Sequence, residues 1–337
     1  MKNKNRPVVA LTMGDAAGIG PEIIVKAMQD PATTKDLDVI VVGDARILKI
    51  SASQLKSHLT IEICTSPQEG NYTPGILNVI DLNNVPEQLY AAGKVDPVTG
   101  RSAVEYIESA VKFALDGAVD AIASAPVNKE AMHQGGAPFA GVTELIAHLV
   151  GSKQFQLVSI FGKVRLFLVT NHVSLRTALD AITKETVLEK LRRTREDLKD
   201  FGIQDGVIAV AALNPHGGEG GSMGTEEVKE IIPAMDAARK EGIRAIGPFP
   251  ADTIFVQAKK GAFDAVLAMY HDQGNIASKL MDFGAGVTVV TGLPIIRTSV
   301  AHGTAFDIAG QGIAAPDTFI AAIKTAGEIA VKRGLVH

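Results

Sequence analysis

Short apolar runs rich in β-branched residues alternate along the whole chain with longer amphipathic stretches, and this alternation constrains the fold more than any other feature. Val8–Met13, Val39–Gly43, Ala121–Ala125, Leu166–Thr170, Val207–Leu213 and Ala265–Met269 read as strands. Pro21–Gln29, Ser102–Leu115, Lys184–Phe201, Thr225–Glu241 and Pro316–Arg333 read as helices. Strand runs that are apolar at nearly every position are covered on both faces, so the pattern predicts an α/β architecture with a largely parallel sheet. The clearest loops are Pro67–Gly75, Gly93–Gly100 and Asn214–Gly224. At 337 residues the chain is long enough for two lobes. No Pro- or Gly-rich linker cuts it cleanly, which predicts that the chain crosses between the lobes more than once.

Charge and composition narrow the partners. The formal net charge is −4 with no long run of one sign, so neither nucleic acid nor an anionic membrane surface is an expected partner. No stretch approaches the roughly 18 apolar residues that span a bilayer. The basic start (Lys2, Lys4, Arg6) lacks the apolar core of a secretory signal, and the expected location is the cytoplasm. Cys64 is the only cysteine, which excludes an internal disulfide and a thiolate cluster; it reads as a small buried residue in a strand.

The histidines fall in a pattern. The run Arg165–Thr170 ends in Asn171 and His172, Val207–Leu213 ends in Asn214, Pro215 and His216, and Ala265–Tyr270 ends in His271, Asp272 and Gln273. Three strand-like runs thus each deliver a histidine just past their carboxyl end, the edge at which ligand crevices form in open α/β sheets. Imidazole is the commonest divalent-metal ligand, and three protein ligands with one open position is the usual catalytic arrangement. The histidines lie 44 and 55 residues apart (172 to 216, 216 to 271), so no local ligand spacing supports the trio, and each also reads as a hydrogen-bonded loop residue.

Other segments carry chemistry of their own. Thr12-Met13-Gly14-Asp15-Ala16-Ala17-Gly18-Ile19-Gly20-Pro21-Glu22 follows a strand and opens a helix, with Pro21 suited to the first turn. It does not satisfy the G-x-G-x-x-G dinucleotide fingerprint, and it reads equally as a substrate or cofactor loop and as a structural turn. Gly217-Gly218-Glu219-Gly220-Gly221 beside His216 reads as a tightly turned or mobile loop. Lys279 and Arg297 are candidates to hold an anion, Arg297 with a fixed fork of donors behind the apolar, buried-looking Gly292–Ile296.

Taken together, the TMGDAAGIGPE start, Ser124-Ala125-Pro126-Val127-Asn128-Lys129, Leu213-Asn214-Pro215-His216 with its Gly/Glu loop, Pro250-Ala251-Asp252-Thr253, Ala268–Gly274, Gly292–Ser299 and His302-Gly303-Thr304-Ala305 resemble the 4-hydroxythreonine-4-phosphate dehydrogenase (PdxA) family over nearly the whole chain. The resemblance implies a two-lobed α/β/α fold of the isocitrate/isopropylmalate dehydrogenase type, with the active site in the inter-lobe cleft. Residues 1–140 plus 285–337 would form the cofactor-side lobe, and 141–284 the metal, substrate and dimerisation lobe. The segment from His302 to Gly310 is similar to the cofactor loop of those enzymes, so His302, Gly303, Thr304 and Asp307 are expected to bind NAD, with NADP the alternative. His172, His216 and His271 fall on the family's metal ligands, zinc being the first choice before magnesium, manganese or cobalt. The family's homodimers share their sites, so one ligand, His271, is expected from the neighbouring chain. Thr143, Lys279, Thr288 and Arg297 fall on substrate-binding positions for a small anionic substrate. Asp252, Asp272 and Lys279 are the expected catalytic side chains, with the proton shuttle unassigned among them and Asp272 also a candidate partner for a metal-bound histidine.

The implied reaction is metal-dependent and NAD-linked, the oxidation of a small phosphorylated hydroxy acid with loss of carbon dioxide from the β-keto acid, as in pyridoxine biosynthesis. Departures from the family pattern bear on the substrate. Val142 stands for a histidine that contacts substrate, Thr288 for an asparagine, Ala301 for an aspartate and Ala16 for a proline. Loss of a site donor can alter selection strongly. The expected substrates are 4-phosphohydroxy-L-threonine, 4-phosphothreonate or 4-phosphoerythronate. One alternative is an aromatic cis-dihydrodiol carboxylate of the terephthalate type, whose dehydrogenase also lacks that histidine. Another is a non-catalytic small-molecule binding protein. An isocitrate-type aspartate–magnesium site fits less well, since the strand ends deliver histidines, and phosphotransacetylase-like acyl transfer has no supporting motif.

Overall fold

The computed structural model describes residues 6–87, 91–281 and 286–335. Lys2, Lys4 and the expected lobe boundary at 284/285 lie outside the described residues. The strands are β1 (Val8–Thr12), β2 (Asp38–Gly43), β3 (Thr60–Cys64), β4 (Ile76–Asp81), β5 (Ala121–Ser124), β6 (Gln156–Phe161), β7 (Val164–Leu168), β8 (Ile208–Ala211), β9 (Ala245–Phe249), β10 (Ala265–Ala268), β11 (Val287–Thr291) and β12 (Arg297–Val300). Two compact units are formed, one from the described residues of Met1–Gln156 and Val287–His337, the other from Leu157–Gly286. The first change of unit falls at 156/157, where the family resemblance implied 140/141. Residues 141–156 stay with the first unit, their helix Val142–Leu149 packing on the helix Pro97–Leu115.

In the first unit the strand order is β3-β4-β2-β1-β5-β12-β11. All neighbours are parallel except β11, which runs antiparallel to β12. Strands β1, β2 and β5 are buried at every position, as their unbroken apolar composition requires for a sheet covered on both faces. In the second unit the order is β6-β7-β10-β8-β9, parallel except for the β6–β7 pair. Its core joins Leu166 and Leu168 of β7, Ala209 and Ala211 of β8 and Val266 and Ala268 of β10 to Ile254, Phe255 and Ala258 of the helix Ala251–Lys259.

The helices show why the amphipathic stretches read as they do. Lys184–Asp200 buries Val187, Leu191, Thr194 and Leu198 on one stripe, and Thr183 caps it by accepting the Thr186 N–H at 3.2 Å. The segment expected as a loop over Gly93–Gly100 is shorter than that. Asp96 accepts the Val98 N–H at 2.7 Å and Pro97 fills the first turn, so helix Pro97–Leu115 begins five residues before the predicted Ser102. The stretch Thr225–Glu241 is likewise not one regular helix. Pro233 has no N–H to give, and a π-helical turn over Glu227–Ile231 precedes the α-helix Ile232–Lys240. Cys64 ends β3 and is buried, its thiol pushed up by burial. Among the described residues no helix is long and apolar enough to cross a membrane.

Candidate active site

In the first unit the strand order reverses at β1 and β5, and open α/β sheets form ligand crevices beside the carboxyl ends of such a pair. The loop after β1 carries the first motif and the loop after β5 carries Pro126–Lys129. The Asp15 N–H donates to Pro126 O at 2.9 Å and ties the two together. Asp15 is wholly buried, and its Oδ1 accepts the Ala17 N–H at 3.0 Å. Burial pushes its carboxyl up to about 6, with Asp96 adding to the effect, against the opposing pull of the Ala17 amide, Thr99 and Asn128.

Next to these two loops lies a row of hydroxyls. Ser124 on β5 is the register partner of Ser299 on β12, and Ser299 is that of Thr288 on β11, so the three face one way. Arg297, two residues before Ser299, shares that face, whereas Thr298 points oppositely and donates to Ala322 O at 2.9 Å beneath the helix Asp317–Lys332. Arg297 is buried, as its apolar approach predicts. Its Nε donates to Ser124 Oγ at 3.4 Å and its Nη1 to Thr143 Oγ1 at 3.5 Å, both long. Burial pulls its pKa down to about 10, and the charge of Glu144 opposes that shift. Among the described residues the hydrogen-bond partners of Arg297 are these two hydroxyls, an arrangement chemically suited to receive an oxyanion. Thr143, Thr288 and Arg297 are therefore brought into one neighbourhood, together with Ser124, which sequence reasoning saw only as part of a motif. Val142 sits half-buried at the start of the helix Val142–Leu149, beside Thr143.

The segment after β12 packs on the first motif. The Ile19 N–H donates to Thr304 O at 3.0 Å, and a Cβ on Gly18 would lie 2.9 Å from Thr304 Cβ, so only glycine permits this approach. Further along, Glu22 accepts the Ala314 N–H at 2.8 Å and Lys26 donates to Gly312 O at 2.9 Å, pinning the loop at its far end. Thr304 is buried in this packing, while His302, Gly303 and Asp307 are exposed, with open space around Gly303. The arrangement is a fixed loop that presents small and acidic groups outward.

In the second unit β7, β10 and β8 are neighbours and parallel, so His172, His271 and His216 leave the same edge of the sheet. His172 and His271 meet, with ring centroids 5.4 Å apart and planes tilted by 45°. They line a cavity of about 290 Å³ with Asn171, Val173, Tyr270 and Asp272. Two imidazoles on one tetrahedral zinc place their centroids about 5 Å apart, given a Zn–N bond of roughly 2.1 Å. The pair fits that arrangement. His271 Nδ1 lies 2.7 Å from Asp272 Oδ1, which leaves its Nε2 for a ligand.

His216 is not brought to this pair. Among the described residues of the single chain no group of three metal-holding side chains forms. Its Nδ1 faces Glu219 Oε1 at 3.0 Å, and both side chains are exposed. Lys279 is exposed on the helix His271–Met281, two turns beyond His271, and Asp252 is exposed in the first turn of Ala251–Lys259. Neither Asp15 nor Glu219 was singled out as a site residue in the sequence, because one matters through burial and the other through backbone geometry.

The chain is similar to known proteins over nearly its whole length. The family described as "Pyridoxal phosphate biosynthetic protein PdxA" matches residues 35–326. A D-threonate 4-phosphate dehydrogenase from Cupriavidus necator is 42% identical over 97% of this chain and 98% of its own length. The crystal structure of 4-hydroxythreonine-4-phosphate dehydrogenase from Klebsiella pneumoniae superposes with a TM-score of 0.88 at 41% identity, covering 98% of this chain and 99% of that one. A terephthalate 1,2-cis-dihydrodiol dehydrogenase from Burkholderia xenovorans is more distant, with a TM-score of 0.64 at 30% identity over 96% and 98% of the two chains. With the family profile and these near-full-length relatives in agreement, the chain belongs to the PdxA family.

Proposed function

We propose that this oxidoreductase oxidises the CH–OH group of a small phosphorylated hydroxy acid, D-threonate 4-phosphate first among them, with NAD as acceptor. The observation that carries the reading is Arg297, buried with hydroxyl partners alone in a chain 42% identical to an enzyme named for that substrate. In this reading Arg297, Thr143 and Thr288 of the first unit hold the anionic end of the substrate, and Lys279 of the second unit is proposed separately as a substrate-binding cation. Val142 offers no hydrogen bond, so selection rests on the hydroxyl row and the guanidinium.

His172 and His271 are the residues that would hold a divalent ion, with Asp272 orienting His271. Such an ion would stabilise the negative charge on the substrate hydroxyl as hydride passes to the nicotinamide, and would do the same for the enolate if the β-keto product loses carbon dioxide. His302, Gly303, Thr304 and Asp307 are proposed to receive the cofactor, on a loop already fixed by Gly18 and Ile19. Asp252 and Asp272 are exposed and are proposed as the acid–base side chains.

The ring pairing alters which ligand is proposed to cross between copies. His172 and His271 meet within one chain, so His216 becomes the ligand supplied by a second copy, in place of His271. Exposed apolar side chains around the pair support a covered face there. Val173, Leu175 and Leu179 follow His172 directly, and Ile276 and Leu280 lie on the helix that His271 begins.

The test is NADH formation by zinc-supplemented protein with D-threonate 4-phosphate, 4-phosphohydroxy-L-threonine, 4-phosphoerythronate and an aromatic cis-dihydrodiol carboxylate. Turnover of a phosphorylated acid that is lost in His271→Ala supports the reading. Turnover of the dihydrodiol alone overturns the phosphate assignment, and silence across the panel overturns the reaction.

A further inference from the structure

Within the loop after β8, the residues His216, Gly217, Gly218, Glu219 and Gly220 take φ values of 53, 69, 76, 42 and 68° in succession. Three are glycines, which adopt this region freely, but His216 and Glu219 are not, and an L side chain resists it. A single turn would be easier to build with glycine at all five positions, so the two strained side chains call for a reason. Successive residues with this sign of φ form a left-handed turn of three to four residues, in which positions i and i+3 stack on one another. His216 and Glu219 are such a pair, and the Glu219 carboxylate reaches His216 Nδ1 at 3.0 Å. The turn is held from behind by Glu227, itself buried, which accepts the Leu213 N–H at 2.8 Å, the Asn214 N–H at 2.7 Å and the Asn214 side-chain amide at 2.8 Å. Ser222 closes it by donating its hydroxyl to Glu219 O at 3.2 Å.

We propose that Glu219 is the positioning residue for His216 as a metal ligand, a role that rests on the reading of His216 as one of the site's histidines. A ring nitrogen facing a carboxylate carries the proton, which leaves Nε2 with its lone pair and directs it away from the turn. Asp272 stands in the same relation to His271, at 2.7 Å from Nδ1. Two histidines on two different strands thus share one orienting device, built locally in each case: by a neighbour at i+1 on one strand end and by a left-handed turn at i+3 on the other.

The test is zinc affinity of the purified full chain, read by competition with a chromophoric chelator, alongside the melting temperature of the metal-free protein. Glu219→Ala and Glu219→Gly are expected to weaken zinc by about 10- to 100-fold. Glu219→Gln is expected to recover most of the affinity, because an amide oxygen still accepts from Nδ1–H. Glu219→Gly should not lower the melting temperature, since glycine relieves the strain at φ 42°. Wild-type affinity in Glu219→Ala and Glu219→Gly, with loss in His216→Ala, would overturn this inference and leave the proposed function standing. The same holds if Glu219→Gly unfolds more readily and Glu219→Gln recovers nothing, since that is a structural role. Zinc affinity unchanged in His216→Ala would overturn both.

Discussion

A buried guanidinium is ordinarily matched by a carboxylate, because removing an unpaired charge from water is expensive. Among the described residues Arg297 has hydrogen bonds to the hydroxyls of Ser124 and Thr143 alone, at 3.4 and 3.5 Å, with Glu144 acting on it without an ion pair, so the fold carries a charge that serves it poorly. Replacing it with a well-packed apolar chain should therefore leave stability unchanged or improve it by ~1–2 kcal/mol, while removing anion recognition. Arg297→Met is expected to show an unaltered or higher urea midpoint and a KM raised by at least about 100-fold, a loss on the scale of a hydrogen-bonded charge. A fall in stability of more than about 3 kcal/mol would instead make Arg297 a structural residue. Asp15 is the opposite kind of burden, an acid whose charged form the interior disfavours. Its folded pKa, about 6, lies above the ordinary carboxylate value, so the protonated form is the one that folding favours. The stability it contributes is complete below about pH 4 and is lost as pH rises through about 6, by at most ~3 kcal/mol. The melting temperature of wild type relative to Asp15→Asn should accordingly fall between pH 4.5 and pH 7.5; a constant difference would show that the carboxyl titrates normally.

At the scale of elements, close packing is dictated by glycine where two helices touch. A Cβ on Gly100 would lie 2.0 Å from Ala131 O, so the helix Pro97–Leu115 meets Lys129–Gln134 backbone to backbone. Gly100→Ala must separate them and is expected to cost ~2–4 kcal/mol, despite the better helix propensity of alanine; a urea midpoint at or above wild type would refute the contact. Its effect should reach activity, because Asn128, which caps the second helix through the Ala131 N–H at 2.8 Å, sits in the loop bonded to Asp15. The strands read in advance, β1, β2, β5, β7, β8 and β10, are apolar runs buried at nearly every position, although β4 and β11, nearly as buried, were not read. Strand β12, Arg-Thr-Ser-Val, could not be read, because three of its four side chains are polar and remove the apolar signal. Strand β9 was hidden by Gly247 and Pro248, which an edge strand tolerates and a central one does not. The same contrast governs the site. Histidines at strand ends are visible as an interruption of an apolar run, whereas Ser124 acquires its place only through register with Ser299, and Glu219 only through five successive left-handed residues.

For the whole molecule the decisive question is whether the three histidines from one sheet edge share the proposed site, since among the described residues of a single chain only His172 and His271 meet. Symmetry supplies an answer that can be counted. If His172 and His271 come from one copy and His216 from another, a dimer of one His172→Ala chain with one His216→Ala chain contains one intact site and one doubly broken site. Mixing the two inactive variants after reversible dissociation should therefore restore about a quarter of wild-type activity, since half of randomly paired dimers are mixed and each regains one of two sites. The pair His172→Ala with His271→Ala breaks the same half-site from either side and should restore nothing. Recovery in that second mixture and not in the first would return His271 to the role of the crossing ligand, and recovery in neither would place all three on one chain. The exposed Leu175 and Leu280 provide an independent lever, because apolar side chains at the covered face of such a dimer carry its affinity. Leu175→Asp should lower the dimer's association constant and make specific activity fall on dilution over a range where wild type is constant, with sedimentation velocity reporting the monomer that appears. Dilution-dependent activity without a change in sedimentation would separate the loss of activity from the loss of the dimer and exclude a site completed by the second copy.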